Sequence, residues 1–565
     1  MISNEEFVKY LLEKKLVTPA DAENLKSEAQ AKGTAAYYLA LEKQLVTDEQ
    51  ITKLMGEIYN VPVAPLGKLT IKEDVLQTIP EMVARGEMVV PFSRDKGGLK
   101  VATSDPKDRE LIEFIHKKTG DEVLVHYATP KQIDEALRFY QKDIKTALKK
   151  LFEEADEEAK KLGRKVEIPI IKIVDMLLSY GTQNRASDVH IEPREDGSLV
   201  RYRVQGLLQD VAVLPKDIHE EVVTRIKVLA GLRTDEHHAA QDGKLSFRLG
   251  TDLPRERQEK VDVRVSIIPT THGEKVVMRL LSARVRQYSL EDMGFSKTDL
   301  VALKDAYTKP YGMIIASGPT GSGKTTTMYA VLKLLNRRDV NITTIEDPVE
   351  YDMEGVNQIQ VNPKTGLTFA KGLRSIVRQD PDIILVGEIR DSETAGIAVN
   401  AAMTGHLVLS TMHANDAATT LIRLLDMGVE PFLVASSVNV VIAQRLLRVL
   451  CPQCKRKKEL SVVELRKNFP PEYIEKHLGK GQKVSVWEAV GCSVCQQTGY
   501  VDRIGIHEVL GVDDDIRQAI IERKPAEVIQ EMAVGKGMTT MLEDGFSKLA
   551  AGITTVEELL RVVKE

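Results

Sequence analysis

The sequence predicts an α/β multidomain protein organised around a parallel-sheet core, and three observations carry that expectation. At 565 residues the chain exceeds what one hydrophobic core organises, so about three to four domains are expected. Short apolar runs alternate with helical patterns along most of its length. One of those runs, YGMIIAS at Tyr311–Ser317, leads directly into GPTGSGKTT at Gly318–Thr326 and then into the helix-like MYAVLKLLN.

The composition, 43% hydrophobic and 28% charged, is that of an ordinary globular protein, and no uninterrupted apolar run approaches the ~20 residues of a membrane span. The opening MISNEEFVKY lacks the basic-then-apolar pattern of an export signal, so a cytoplasmic location is expected. A net charge of −5 argues against a nucleic-acid binder, which usually shows a basic excess. Membranes would then be met through a protein partner.

Residues 1–142 read as a helical repeat followed by a small α/β unit. LEKKLVT at Leu12–Thr18 returns as LEKQLVT at Leu41–Thr47, and Thr18 or Thr47 can cap the helix that follows each copy. Apolar runs such as EMVVPF and EVLVHYA then alternate with helical stretches. Residues 143–166 form a charged linker helix whose apolar positions, Ile144, Leu148, Leu151, Phe152 and Leu162, recur three and four apart; spacing two domains and binding a partner are both open to it. Residues 167–295 form a second mixed domain in which a helix precedes alternating strands around SDVHIEP, SLVRYRVQG and KVDVRVSII. His237 and His238 in its GLRTDEHHAAQDGKL segment read as loop residues, since no cysteine or HExxH spacing accompanies them. Residues 296–565 hold the nucleotide core and four cysteines.

In the core, Gly318, Gly321 and Gly323 let the backbone curl around a phosphate within the run Gly318, Pro319, Thr320, Gly321, Ser322, Gly323, Lys324, Thr325 and Thr326. Lys324 supplies a charge near the β and γ phosphates, and the Thr325 hydroxyl can ligate Mg2+. Three further strands end in functional residues at the carboxyl edge of a sheet. NITTIEDPVEY delivers Glu346, Asp347 and Glu350; DIILVGEIRD delivers Glu388, suited to magnesium; GHLVLSTMHAND carries His406 before its strand and His413 after it. Either histidine has a structural role as its alternative to contacting the γ-phosphate.

Cys451 and Cys454 (CPQC) pair with Cys492 and Cys495 (CSVC), and no other cysteine occurs. Two CxxC turns close the four-coordinate shell of a structural Zn2+; redox-active or free thiols are the alternative, because the intervening stretch is longer than usual for a zinc ribbon.

Together GPTGSGKT, TIEDPVEY, ILVGEIRD and GHLVLSTMHAND resemble the Walker A, Asp box, Walker B and His box of the secretion ATPase superfamily, which powers type II secretion and type IV pili. RASDVHIEP and RVSIIPTTHGEKVVMRLL are similar to the superfamily's second N-terminal domain. The resemblance implies a RecA-like ATPase core behind a PAS-like domain, a homo-hexamer, and ATP hydrolysis as the activity. It implies Arg264 and Arg279 as arginine fingers, with Arg374 and Arg378 as auxiliaries. Glu350 becomes the expected water-activating carboxylate with Glu388 at magnesium, and Glu346 stays a rival for the first role. The cysteine pairs look like those of assembly and secretion motors. The opening repeat resembles a module that in some members binds cyclic di-GMP, but FVKYLLEKK and AYYLALEKQ lack its arginine-leucine-glycine start, so a docking role is expected instead. The implied work is pilin polymerisation through an inner-membrane platform protein, with cytoplasmic alignment proteins as further partners. A type II secretion motor shares every motif; a DNA translocase and a nucleotide-gated scaffold are the readings from other classes.

Overall fold

The computed structural model describes residues 4–14, 16–32, 36–42, 45–46, 48–66, 71–95, 97–140, 144, 147–154, 169–249, 259–281, 289–492, 495 and 497–564. They divide into two compact units, Met1–Leu280 with Cys492–Val494, and Leu281–Gly491 with Cys495–Glu565. No helix among the described residues is long and apolar enough to cross a membrane.

The first unit opens with helices Asn4–Glu13, Pro19–Lys32, Ala36–Glu42 and Asp48–Tyr59, closed around Phe7, Leu11, Leu25, Leu39 and Ile51. Among the described residues, the first repeat copy ends the first helix and leads into the second. The Thr18 hydroxyl accepts from the Asp21 amide at 3.2 Å, as a capping residue should; Thr47 lies outside the described residues. Next come β1 (Val89–Asp95), β2 (Gly98–Thr103) and β3 (Val123–Tyr127) in that spatial order, antiparallel then parallel. The parallel step requires a crossover. It is made by the helix Arg109–Thr119, which Asp108 caps through the Leu111 amide at 3.0 Å and Gly120 ends at φ +71°.

The charged segment after Tyr140 is more than a spacer. Ile144 and Leu148 are buried in the core of the following domain, and Leu151 and Phe152 pack against it, because an apolar stripe gains more by covering another element than by facing water. Leu162 lies outside the described residues.

That domain sets the helix Ile170–Gln183 against a six-stranded sheet of β4 (Ala186–Pro193), β5 (Ser198–Val204), β6 (Leu207–Leu214), β7 (Gln241–Leu249), β8 (Glu259–Thr270) and β9 (Gly273–Leu281), ordered β6-β5-β4-β9-β8-β7. Val261, Val263, Val265 and Ile267 of β8 all face the core, which turns Arg264 to the other face of the sheet. His237 Nδ1 lies 2.9 Å from Glu274 Oε2, which also accepts from the fully buried Lys227 at 2.9 Å. The histidine therefore belongs to an ion-paired loop.

The second unit is a seven-stranded sheet of β10 (Gly312–Ser317), β11 (Ile342–Glu346), β12 (Val356–Gln360), β13 (Ile383–Val386), β14 (Leu407–Met412), β15 (Val438–Leu450) and, after the ribbon β16 (Arg456–Ser461) and β17 (Lys483–Glu488), β18 (Tyr500–Gly511). The order is β12-β11-β13-β14-β10-β15-β18, with β18 alone antiparallel. Every residue of β10, β11, β13 and β14 is buried, which is why β13 is wholly apolar and why the buried Thr344, Glu346 and Ser410 of β11 and β14 are hydrogen-bonded. Strands β14 and β15 flank β10 in space but follow it far along the chain. Such a reversal of strand order opens a crevice at the carboxyl ends.

Glu558 anchors the helix Val556–Lys564. It accepts from Arg448 Nε at 2.9 Å and Arg448 N at 3.0 Å, and from Arg561 Nη2 at 2.7 Å. The Arg448 guanidinium lies 4.1 Å over the Tyr500 ring. Burial alone would raise Glu558, but the hydrogen bonds from Arg561 and Arg448 outweigh it and hold the carboxyl at about 2. Its stabilising contribution is complete above the ordinary carboxylate value and is lost as pH falls from there towards about 2. Urea unfolding across that acid range is expected to flatten in Glu558→Gln. At neutral pH, Glu558→Ala is expected to cost about 2–4 kcal/mol, because it strands the mostly buried Arg448 guanidinium.

Candidate nucleotide site and cysteine cluster

The loop after β10 has the shape its glycines permit. Gly318, Gly321 and Gly323 hold φ of +143°, +81° and +93°, and a Cβ at Gly318 would sit 2.4 Å from the Gln444 carbonyl oxygen. Only glycine fits there. The buried side chain of Gln444, on β15, spans the loop: its Nε2 donates to the Ser322 carbonyl at 2.8 Å and its Oε1 accepts from Thr327 Oγ1 at 2.8 Å. Lys324 folds back to donate to the carbonyls of Gly318 and Pro319 at 2.7 and 3.0 Å. Burial pushes its ammonium down to about 8, with Glu388 acting the other way. Pro319, Thr320, Gly321 and Thr325 are exposed, and Thr326 is half-buried, so the loop's outer rim and the Thr325 hydroxyl are open to a ligand.

The ends of neighbouring strands are knitted to this loop. Ser317 Oγ donates to the Ala414 carbonyl and accepts from its amide, both at 3.1 Å. The Gly387 amide donates to Ile345 O at 2.8 Å, and the Gly387 carbonyl accepts from Thr411 at 2.7 Å. Glu388 is thereby fixed at the edge, with Arg390 Nε at 2.6 Å and His413 Nε2 at 3.4 Å. Burial and then Lys324 lower the His413 pKa against the pull of Glu388, which favours the neutral ring at pH 7. Lys324, Glu388 and His413 thus share one electrostatic neighbourhood.

The two acids of the TIEDPVEY segment separate. Glu346 is buried and saturated: Tyr329 Oη donates to Oε2, while Thr344 Oγ1 at 2.6 Å and Gln358 Nε2 at 3.3 Å donate to Oε1. A carboxylate so engaged has little left for a water, which removes the support for Glu346 as water activator. Glu350 is half-buried on the loop beyond, its amide reaching Tyr329 Oη at 3.4 Å.

His406 lies before its strand, as the sequence places it, and so at the end of the sheet opposite the phosphate loop. It precedes β14, its Nδ1 contacts the Ala401 carbonyl at 2.8 Å, and its own carbonyl accepts from Gly312 at the start of β10. The six residues of β14 put it roughly 20 Å from the carboxyl edge, so it closes the opposite end of the sheet. Arg374 pairs with Glu393 at 2.5 Å, and Arg378 is exposed. Arg279 and Arg264 belong to the first unit. Arg279 Nε donates to buried Asp188 at 2.9 Å, leaving its side chain 57% exposed; Arg264 is half-buried on β8 across from Lys244. Gln444, Tyr329 and Gln358 are contributors that sequence reasoning missed. The only trace of the first is a glutamine inside the apolar run VVIAQRLL.

Cys451, Cys454, Cys492 and Cys495 place their sulfurs within 4.8 Å of one another. The Cys454 and Cys495 sulfurs are 3.7 Å apart, close to the ~3.8 Å edge of a tetrahedron with 2.3 Å metal–sulfur bonds. Amides of Gly491 and Gly499 donate to Cys454 and Cys495 at 3.3 and 3.2 Å, the outer support that thiolates need. The cluster fits a tetrahedral metal ion.

Comparison with known proteins agrees with this geometry. Residues 164–561 match the family described as Type II/IV secretion system protein, and residues 59–147 match the MshEN domain. The Type IV pilus assembly ATPase PilB of Myxococcus xanthus is 36% identical over 97% of both chains. The Type II secretion system protein E of Xanthomonas campestris pv. campestris is 36% identical over 99% of this chain and 98% of that one. The X-ray structure of the Yersinia pseudotuberculosis ATPase DotB, at 20% identity, superposes with a TM-score of 0.52 over 69% of this chain and 92% of that chain, a likeness of fold. The chain belongs to the type II/IV secretion ATPase family and is an ATP-hydrolysing enzyme.

An anion bound beside Lys324 raises its pKa from about 8, so nucleotide binding should take up a proton at pH values above that. Calorimetry of MgATP in two buffers of different ionisation enthalpy measures the uptake. Affinity should weaken as pH rises past about 8; an affinity independent of pH there would contradict this account of Lys324.

Proposed function

We propose that this chain is the motor of a type IV pilus assembly machine, a cytoplasmic homo-hexamer that spends ATP hydrolysis on polymerising pilin through an inner-membrane platform protein. The observation that carries the motor reading is the contiguous site of phosphate loop, Glu388 and His413 at the carboxyl edge of the seven-stranded sheet. The pilus assignment is supported by the likeness to the Myxococcus pilus assembly ATPase, which runs through the N-terminal module as well as the ATPase core. An equally long likeness to the Xanthomonas secretion protein favours a second reading, export of proteins by a type II system.

In this proposal the loop amides and Lys324 hold the phosphates, Thr325 and Glu388 hold Mg2+, which supplies charge neutralisation on the transferred phosphoryl group, and Glu350 activates the water. Glu346 orders the Glu350 loop. Arg264 and Arg279 complete the site within the assembled ring, and the grip of Asp188 gives Arg279 a defined direction. Arg374 and Arg378 remain auxiliaries. The cysteines hold structural Zn2+. The N-terminal module docks the ring on its partners, and nothing in the repeat supports cyclic di-GMP as its ligand.

Glu350→Gln is expected to lower kcat at least 100-fold with ATP still bound, as measured by phosphate release. In the native host, Lys324→Ala should abolish surface pili while secretion continues. Loss of secretion with pili intact would move the chain to the second reading. For the metal, elemental analysis should find one zinc per chain. Trp487, the only tryptophan, carries the Lys455 ammonium 4.6 Å over its ring near the cluster. A chelator should therefore shift its fluorescence before MgATP binding is lost.

A further inference from the structure

Tyr329 lies five residues after Lys324 on the helix Lys324–Leu335 that begins at the phosphate loop, and its ring is almost fully buried. A phenol can donate once and accept twice. All three capacities are used: the hydroxyl donates to Glu346 Oε2 and accepts from the Glu350 amide at 3.4 Å and from Gln358 Nε2 at 3.3 Å. Gln358, on β12, braces the same group from behind. Its Nε2 also reaches Glu346 Oε1 at 3.3 Å and the Tyr351 carbonyl at 3.2 Å, and its Oε1 accepts from the Met353 amide at 2.8 Å. The Tyr351 ring meets Tyr329 edge to face at 4.7 Å. The stretch carrying Glu350 is therefore fastened to the phosphate-binding helix by a buried hydroxyl whose proton has one destination, the Glu346 carboxylate.

We propose that Tyr329, with Glu346 as its acceptor, is a positioning residue that sets Glu350 in register with the phosphate loop. The inference rests on the reading of Glu350 as the group that activates water. A bound phosphate fixes the start of the helix, and the rigid turn and a half from Lys324 to Tyr329 carries that position to the Glu350 backbone. The ionised Glu346 carboxylate offers only acceptors, and by taking the phenol's proton it leaves both lone pairs of the hydroxyl facing the two amides.

The test is steady-state ATP hydrolysis by the full chain, with melting temperatures recorded alongside. Tyr329→Phe is expected to lower kcat by about tenfold or more while KM for ATP stays within about threefold. Gln358→Met, which keeps the volume and removes the brace, should lower kcat several-fold in the same pattern. Thr344→Val removes another donor from Glu346 at 2.6 Å without touching the contact to Glu350; its kcat should stay within about threefold of wild type even where its melting temperature falls as far as that of Tyr329→Phe. Equal loss of kcat in Thr344→Val, or unchanged kcat in Tyr329→Phe, would overturn the positioning role. Glu350→Gln separates the two ideas: if it turns over normally, the underlying reading has failed, whereas a dead Glu350→Gln with an active Tyr329→Phe sinks only the inference.

Discussion

The phosphate loop keeps its shape because one buried side chain holds it from the neighbouring strand. Gln444 gives an amide proton to Ser322 and takes a hydroxyl proton from Thr327, one bond on the loop and one on the first turn of the helix that follows. A loop with three residues at positive φ would otherwise sample many shapes, because glycine is as free to leave such conformations as to adopt them. Backbone amides aimed at a phosphate are useful only if they are aimed before it arrives. The remainder of the second unit serves this clamp. Strand β15 must lie beside β10 for Gln444 to reach, and the parallel pairing of Met313–Ser317 with Val438–Ala443 puts it there.

From that fixed loop the edge of the sheet is assembled by short, mostly neutral hydrogen bonds. Ser317 ties the segment carrying His413 to β10, and Gly387 ties the segment carrying Glu388 to both β11 and β14. Charge is then concentrated in a few places, at Lys324, Glu388 and His413, where burial first and the Lys324 ammonium second lower the basicity of the imidazole. The first unit shows a different economy. The face of its sheet that carries Arg279 pairs its carboxylates with more than one cation each, buried Asp188 with Arg279 and Arg203, and half-buried Glu192 with Arg201 and Lys275, so that cationic side chains stand outward in fixed directions.

Features confined to a short stretch of chain are legible in the amino-acid sequence. The phosphate loop is contiguous and its strand and helix adjoin it, while the two CxxC pairs suggest a zinc site, with their long separation leaving free thiols open until the structure brings the four sulfurs together. Contacts between distant segments are not legible there. Gln444 lies 122 residues beyond Ser322 and resembles an ordinary polar interruption in a strand. Glu346 and Glu350 are equivalent acids in the sequence, and what separates them is a tyrosine from another helix that claims the first. His406 reads as functional because a histidine beside an apolar strand is ambiguous until the direction of that strand is known. Being on the amino side of β14, it lies at the end of the strand away from the loop. The linker's apolar stripe is visible in the sequence, but the core it covers is not.

The central claim is that Gln444 preorganises the phosphate loop, and titrating MgADP into Gln444→Leu tests it most directly. Leucine keeps most of the volume and removes both hydrogen bonds. With the fold intact by circular dichroism, affinity should fall by about 30- to 150-fold, the worth of two buried hydrogen bonds of about 1–1.5 kcal/mol each. Wild-type affinity in that variant would mean that the loop holds its shape without β15 and would contradict the account.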